Sequence, residues 1–237
     1  MKPVLELDGV TAGYGPTVII ENLSLTLAAG DVLAVLGRNG VGKSTLMKTI
    51  IGQTRLHGGE IRLNEQAIGH LPSYRRALSG IGYVPQERDI FGTLTIEENL
   101  RIAARAGRWT VEEIFSLFPN LAGRRRNRGD EISGGEQQML SIGRALVGNP
   151  GVLLLDEPME GLAPVIIDQI LKVLHSLRAS GGLVIVLVEQ YALMALEFAP
   201  RTIVLDRGCA IFDGQSSELS GNPELMSSCL GLSGAIR

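Results

Sequence analysis

The segment GRNGVGKST, from Gly37 to Thr45, matches the pattern G-x-x-x-x-G-K-[ST]. It follows the apolar run VLAVL and opens a stretch of helical length, which is the context that the pattern requires. Glycines at these spacings let backbone N–H groups surround phosphate oxygens, and the start of a helix adds a favourable dipole. The segment therefore predicts a phosphate-binding loop. Its residues are Gly37, Arg38, Asn39, Gly40, Val41, Gly42, Lys43, Ser44 and Thr45.

A second segment, VLLLDE, ends an apolar strand in two acidic residues. We expect Lys43 to reach the β- and γ-phosphates of a nucleoside triphosphate, and the Ser44 hydroxyl to bind Mg²⁺. At the end of the strand, Asp156 would lie beside the phosphate loop and hold the same ion directly or through water. Glu157 is the expected general base that polarises an attacking water. The alternative is that the two acidic residues only cap the next helix.

Strand and helix patterns alternate along most of the chain. The runs VLLLDEP, LVIVLVE and TIVLDRG are typical of buried strands, and segments of helical length separate them. This alternation predicts right-handed crossovers and a mainly parallel sheet. Two N-terminal runs, VLELDGVTAGYG and IIENLSLTLAAGD, favour a small antiparallel sheet. From residue 96 to 148 the pattern is helical, and it begins with a capping box between Thr95 and Glu98.

These patterns predict an α/β fold of the P-loop NTPase type, with a mainly parallel core sheet, an antiparallel β-subdomain and an inserted α-helical subdomain. We expect a single domain over residues 1–237. Its nucleotide-binding core with the β-edge would comprise 1–94 and 149–220, the helical subdomain 95–148, and a C-terminal tail 221–237.

Composition narrows the function classes. The net charge of -3 and the pI of about 5.7 argue against a nucleic-acid partner, which would require a basic surface. Cys209 and Cys229 show no metal or redox spacing and indicate reduced thiols. No run is apolar enough for a signal peptide or a membrane span, so we expect a protein that is soluble when isolated. The basic run from Arg124 to Arg128 predicts a solvated face of the helical subdomain, with a lipid-headgroup or partner contact as the alternative.

The segment ISGGEQQ predicts a second anion-binding site. Ser133, Gly134 and Gly135 are expected to open a helix with free N–H groups. One chain does not need two binding sites for the γ-phosphate of one nucleotide. Two chains do, if each presents this site to the ATP of the other.

The order and content of these motifs closely resemble the ATP-binding subunit of ABC transporters. The resemblance rests on the phosphate loop, Gln86 in YVPQ, the SGG signature and VLLLDEP, and it covers residues 4 to 220. It implies ATP and Mg²⁺ as cofactors, and Gln86 as the lid-loop glutamine that senses Mg²⁺ and the transmembrane partner. It also implies that Tyr14, in AGYG, stacks on adenine. The alternative is a strand-end tyrosine that lies half in the core.

Finer features resemble one branch of this family, the second ATP-binding subunit of bacterial branched-chain amino acid importers. These features are RNGVGKST, EGLAP after the acidic pair, VEQ, and Glu136 in SGGEQQML, where glutamine is usual. The loop MEGLAP, from Met159 to Pro164, departs from the family pattern, which normally has a serine and an aspartate at the dimer interface. Urea and short-chain amide importers share RNGVGK and VEQY and are the alternative.

The branch also implies partners. They are a second ATPase subunit, two transmembrane permease subunits and, indirectly, a periplasmic solute-binding protein; in isolation the chain could also pair with itself. It would then work at the cytoplasmic face of the bacterial inner membrane. A soluble ABC protein acting on nucleic acid or ribosomes usually carries two cassettes or long charged insertions, which this sequence lacks. A non-hydrolysing regulatory subunit is also disfavoured, because Lys43, Asp156 and Glu157 are all present.

The strand LVIVLVE is followed by Gln190, where most ABC ATPases have a histidine that contacts the γ-phosphate. Glutamine can donate an N–H to a phosphate oxygen, but it cannot become a cation. The resemblance therefore implies a catalytic role for Gln190 together with weak hydrolysis at this chain's own site. The alternative is that Gln190 only caps the following helix, YALMALEFA.

Overall fold

The computed structural model of the protein describes residues 2–230. The strands are β1 (Pro3–Tyr14), β2 (Thr17–Ala28), β3 (Val32–Leu36), β4 (Arg55–Leu63), β5 (Gln66–Ala67), β6 (Ile81–Val84), β7 (Val152–Asp156), β8 (Val184–Val188), β9 (Arg201–Asp206) and β10 (Cys209–Gln215). The α-helices are α1 (Lys43–Ile50), α2 (Ser73–Leu78), α3 (Ile96–Arg101), α4 (Val111–Leu117), α5 (Pro119–Ala122), α6 (Gly134–Val147), α7 (Pro164–Ser180), α8 (Ala192–Phe198), α9 (Ser216–Ser220) and α10 (Pro223–Leu230).

The central sheet has six strands in the order β10-β9-β3-β8-β7-β6. All neighbouring strands in it are parallel except β9 and β10. Strands β3, β7 and β8 are buried at every position, as expected for a parallel sheet that is covered on both faces. Their carboxyl ends meet at one edge of the sheet, and this is where ligands bind in open α/β folds.

A second sheet has the order β2-β1-β4-β5 and is antiparallel throughout. The α/β class, with a mainly parallel core and an antiparallel β-subdomain, is therefore confirmed. The segment 95–148 contains α3 to α6 and a 3-10 turn at Gly129–Glu131. The proposed division into subdomains stays a prediction, and residues 231–237 of the predicted tail lie outside the described residues.

The core has two hydrophobic clusters, one on each face of the central sheet. Along β3, Val32, Ala34 and Leu36 belong to one cluster, whereas Leu33 and Val35 belong to the other. This alternation follows from the two-residue period of a strand. The first cluster also contains side chains of α3, α4 and α6, so these helices share a core with one face of the sheet.

The arginines of the basic run are mostly paired within the chain. Arg125 contacts Glu97 and Glu112 at 3.0 and 2.8 Å. Arg124 lies 3.4 Å from a carboxylate oxygen of Glu136, and Arg128 lies 2.6 Å from Asp130. These pairs connect the segment to α3, α4 and α6. None of the helices among residues 2–230 combines the length and the apolar character that crossing a bilayer requires.

Helix α1, which follows the phosphate loop, is held at its C-terminal end by Arg76. The side chain of Arg76 is 4% exposed, and burial lowers its pKa. One guanidinium nitrogen donates to the carbonyl oxygens of Thr49 and Ile50 at 2.8 and 3.0 Å. The others donate to the carbonyls of Leu71 and Gly69 at 2.9 and 2.8 Å. A cation at this end also complements the helix dipole.

Replacing Arg76 by methionine should lower the free energy of unfolding by about 3 kcal/mol, because buried carbonyl groups lose their donors. Urea denaturation measures this change. Arg75→Met is the matched control, since Arg75 is exposed and an exposed substitution should cost less than about 0.5 kcal/mol. Equal denaturation midpoints for the two variants would show that Arg76 does not stabilise α1.

Candidate nucleotide-binding site

The phosphate loop connects β3 to α1 through three glycines with positive φ. Gly37, Gly40 and Gly42 have φ values of 144°, 80° and 111°. A Cβ atom on Gly37 would lie 2.4 Å from the carbonyl oxygen of Leu205, so a side chain does not fit there. Glycine is therefore required at the entry to the loop by both backbone conformation and packing.

Lys43 begins α1 and is buried. Its ammonium group donates to the carbonyl oxygens of Gly37 and Arg38, at 2.9 and 3.2 Å. It also lies 3.6 Å from a carboxylate oxygen of Glu157. The loop thus holds the lysine against the predicted general base, in the same cavity.

Asp156, at the end of β7, is 1% exposed and accepts two hydrogen bonds. The Ser44 hydroxyl donates to one carboxylate oxygen at 3.1 Å, and the Tyr83 hydroxyl donates to the other at 3.1 Å. Burial raises the pKa of Asp156, and these two hydrogen bonds partly offset that shift. Burial and the nearby Asp156 also raise the pKa of Tyr83.

A hydroxyl and a carboxylate are the oxygen donors that Mg²⁺ prefers, so Ser44 and Asp156 fit such an ion. No three acidic, histidine or cysteine side chains converge on a metal position within residues 2–230. A Mg²⁺ ion at this site would therefore take its other ligands from phosphate and water, as is usual for Mg²⁺.

A cavity of about 290 Å³ lies beside Lys43, Ser44 and Glu157. The residues that line it are Asn39, Gly40, Gly42, Lys43, Ser44, Gln86, Glu157, Glu160 and Gln190. The side-chain amide of Gln86 donates a hydrogen bond to Glu160 across the cavity. Glu160 was not among the predicted site residues, because its position in the MEGLAP loop carried no recognisable signal.

Glu157 and Gln190 meet directly. The side-chain amide of Gln190 donates a hydrogen bond to a carboxylate oxygen of Glu157. Neither residue caps a helix: α8 has Tyr191 at its N-cap position, and α7 has Ala163. The two capping alternatives are therefore wrong, and both side chains point into the cavity.

The signature residues lie apart from this cavity. Ser133 and Glu136 form a capping box at the start of α6, in which Glu136 accepts the Ser133 N–H at 2.9 Å. The Ser133 hydroxyl donates to the same carboxylate at 2.8 Å. The expectation of a free N–H at Ser133 is thus wrong. Gly134 and Gly135 retain the first-turn N–H groups that a helix leaves without an internal partner.

The remaining predicted residues lie near the loop or at its margins. Thr45 continues the first turn of α1, and Val41 is buried against the second core cluster. Tyr14 ends β1, is 46% exposed and does not line the cavity. Arg38 lines a neighbouring cavity of about 240 Å³ together with Glu189 and Leu230.

Two further residues of the site were not predicted. Tyr83, in YVPQ, supports Asp156, and Glu189 accepts backbone N–H groups beside Gln190. The position of Glu189 directly after an apolar strand could have indicated that it lies at the site. For Tyr83 only the position of YVPQ before Gln86 pointed to the site.

Comparisons with known proteins agree with these features. A family model described as ABC transporter matches residues 20–160. The chain is 39% identical over 236 residues to the high-affinity branched-chain amino acid transport ATP-binding protein BraG of Pseudomonas aeruginosa, covering 96% of this chain and 100% of that protein. It is 36% identical over 232 residues to the probable branched-chain amino acid transport ATP-binding protein LivF of Archaeoglobus fulgidus, covering 94% and 97%. A solved ATP-binding subunit of an ABC transporter matches with a TM-score of 0.80 at 26% identity, covering 94% of each chain.

Replacing Gly37 by alanine should raise the Kd for ATP by at least about tenfold, because the new methyl group collides with the Leu205 carbonyl and displaces the loop. Equilibrium titration measures the affinity. Gly181→Ala is the control: Gly181 also has a positive φ, of 69°, but a Cβ there meets nothing within 4 Å. Equal affinities in both variants would contradict the packing requirement at Gly37.

Proposed function

The chain belongs to the ABC transporter family of ATP-binding proteins, and on that premise we propose that it energises an importer of branched-chain amino acids. The observation that carries this proposal is the convergence of Lys43, Ser44 and Glu157 on one cavity, with Asp156 hydrogen-bonded to Ser44, in a chain that matches BraG along nearly its whole length. The reaction is ATP hydrolysis, and transport of the solute takes place in other subunits.

The phosphate loop and Lys43 bind the nucleotide. The lysine is the buried cation aimed at the cavity, so it would neutralise charge on the β- and γ-phosphates. Ser44, Asp156 and Gln86 would hold Mg²⁺, which neutralises further charge on the phosphates. Tyr14 would stack on the adenine ring, and its exposure leaves the ring face accessible.

Glu157 is the proposed general base. Its carboxylate accepts a hydrogen bond from Gln190 and lies 3.6 Å from Lys43, so it is oriented by groups on both sides. In the reaction it would accept a proton from the attacking water. Gln190 would orient that water and donate an N–H to a γ-phosphate oxygen, as a neutral substitute for histidine.

The second ATPase subunit is the proposed dimer partner. Ser133, Gly134, Gly135 and Glu136 do not line the cavity of their own chain, which supports a role at the nucleotide of the partner. Exposed apolar side chains also follow the segments that carry Glu157 and Gln190. They are Val165, Tyr191 and Leu193. Exposed apolar side chains beside these loops favour a protein contact.

The permease subunits are proposed to dock in a groove of about 410 Å³ beside the Gln86 segment. Phe91 and Ile102 line it and are exposed. Arg144 packs 5.0 Å from the Phe91 ring and has a buried guanidinium nitrogen, Nη1, without a hydrogen-bond partner among residues 2–230. An apolar segment of the partner would pack against Phe91 and Ile102. Docking there would place the chain at the cytoplasmic face of the membrane, with a periplasmic solute-binding protein on the opposite side.

Glu157→Gln should preserve ATP affinity and lower turnover at this chain's own site by at least about 100-fold, measured with a partner subunit that lacks its own catalytic glutamate, because glutamine keeps the shape but cannot accept the proton of the water. The variant should then accumulate an ATP-bound dimer, visible by size-exclusion chromatography with the partner subunit. Lys43→Ala is the contrasting variant and should lose tight ATP binding itself. Turnover within a few-fold of wild type in Glu157→Gln would contradict its role as the base.

Solute choice is tested in cells from which the gene has been deleted. Uptake of labelled leucine should fall, and it should be restored by the wild-type gene but not by Glu157→Gln. Uptake of labelled urea serves as the internal control and should not change. Loss of urea uptake with normal leucine uptake would overturn the branched-chain assignment and favour the urea and short-chain amide alternative.

A further inference from the structure

Glu189 is a buried acid next to the catalytic loops. It directly follows β8 and is 1% exposed. Burial raises the pKa of Glu189 to about 7, although backbone N–H groups that it accepts act in the opposite direction. A carboxylate is costly to bury unless it makes compensating hydrogen bonds, so its contacts indicate why it lies there.

The carboxylate of Glu189 joins two loops. One oxygen accepts the backbone N–H of Met159 at 3.1 Å, and the other accepts that of Gln190 at 3.1 Å. Met159 and Gln190 lie outside helices and strands, so Glu189 provides these N–H groups with the acceptor that regular secondary structure would otherwise supply.

Each of the two loops carries a reactive side chain. Glu157 lies two residues before Met159, and Gln190 is itself a partner of the carboxylate. The N–H of Glu157 donates to the carbonyl of Val188 at 3.0 Å, immediately before Glu189. The side chains of Glu157 and Gln190 then meet in their own hydrogen bond. The geometry of this pair therefore depends on how the two loops are held together.

Glu189 does not line the nucleotide cavity, although it lines the smaller neighbouring one. We propose that Glu189 is a positioning residue, which ties the loop after Glu157 to the turn of Gln190 and so holds the base and the γ-phosphate amide in register. This inference rests on the proposed ATP hydrolysis at this site. On this account Glu189 affects turnover and not nucleotide affinity.

The variants Glu189→Gln and Glu189→Ala test this role in a heterodimer whose partner subunit lacks its own catalytic glutamate, so that kcat reports the site of this chain alone. Glutamine keeps the size but replaces one acceptor oxygen with a donor that faces a backbone N–H. Each variant should lower kcat by about tenfold or more, while the Kd for ATP stays within about threefold. Thr202→Val is the control: Thr202 is also buried and hydrogen-bonds to Ser216 at 2.7 Å, on β9. It should lower Tm and leave kcat unchanged.

A double-mutant cycle with Gln190→Ala separates positioning from general stability. If Glu189 acts through Gln190, Glu189→Gln should reduce kcat by no more than about twofold when Gln190 is already alanine. Equal fold-losses in both backgrounds would overturn the proposal, as would a raised Kd with unchanged kcat. An inactive wild-type dimer that still binds ATP would instead refute the proposed hydrolysis, so the two failures are distinguishable.

Discussion

The carboxyl ends of β3, β7 and β8 meet at one edge of the parallel sheet, and the site depends on this arrangement. Strand β3 leads into the phosphate loop, β7 ends in Asp156, and β8 leads to Glu189 and Gln190. Because the three strands are buried on both faces, their ends are fixed relative to one another by the core. Loops attached to these ends inherit that rigidity, so a binding cavity forms between segments that are distant in sequence.

The contacts around the cavity form two groups, one centred on Glu157 and the other on Asp156. Lys43 lies between the phosphate-loop carbonyls and Glu157, and Glu157 in turn accepts the amide of Gln190. Asp156 is supported by Ser44 and Tyr83 on its two oxygens. Within each group, removing one member changes the surroundings of the next, so substitutions in the same group are not expected to be additive.

The sequence predicted the parallel core and predicted that Ser44 and Asp156 lie together, although 112 positions separate them. That prediction was available because the loop motif and the acidic strand end each define their own place in the fold. Arg76, Tyr83 and Glu189 could not be assigned in the same way, since their roles arise from burial and long-range contacts. The capping box of Ser133 and Glu136 was readable as an S-x-x-E pattern, yet the anion-site interpretation left its N–H groups free.

The role of Gln190 is the point at which this chain departs most clearly from the usual ATPase pattern. The most direct measurement is single-site turnover in a heterodimer whose partner lacks its own catalytic glutamate, with glutamine, histidine or alanine at position 190. If β8 delivers this side chain to the γ-phosphate, Gln190→His should equal or exceed the wild-type rate. Gln190→Ala should be slower by about tenfold or more, because a hydrogen bond to a charged acceptor is lost. Indistinguishable rates for the three residues would contradict the account.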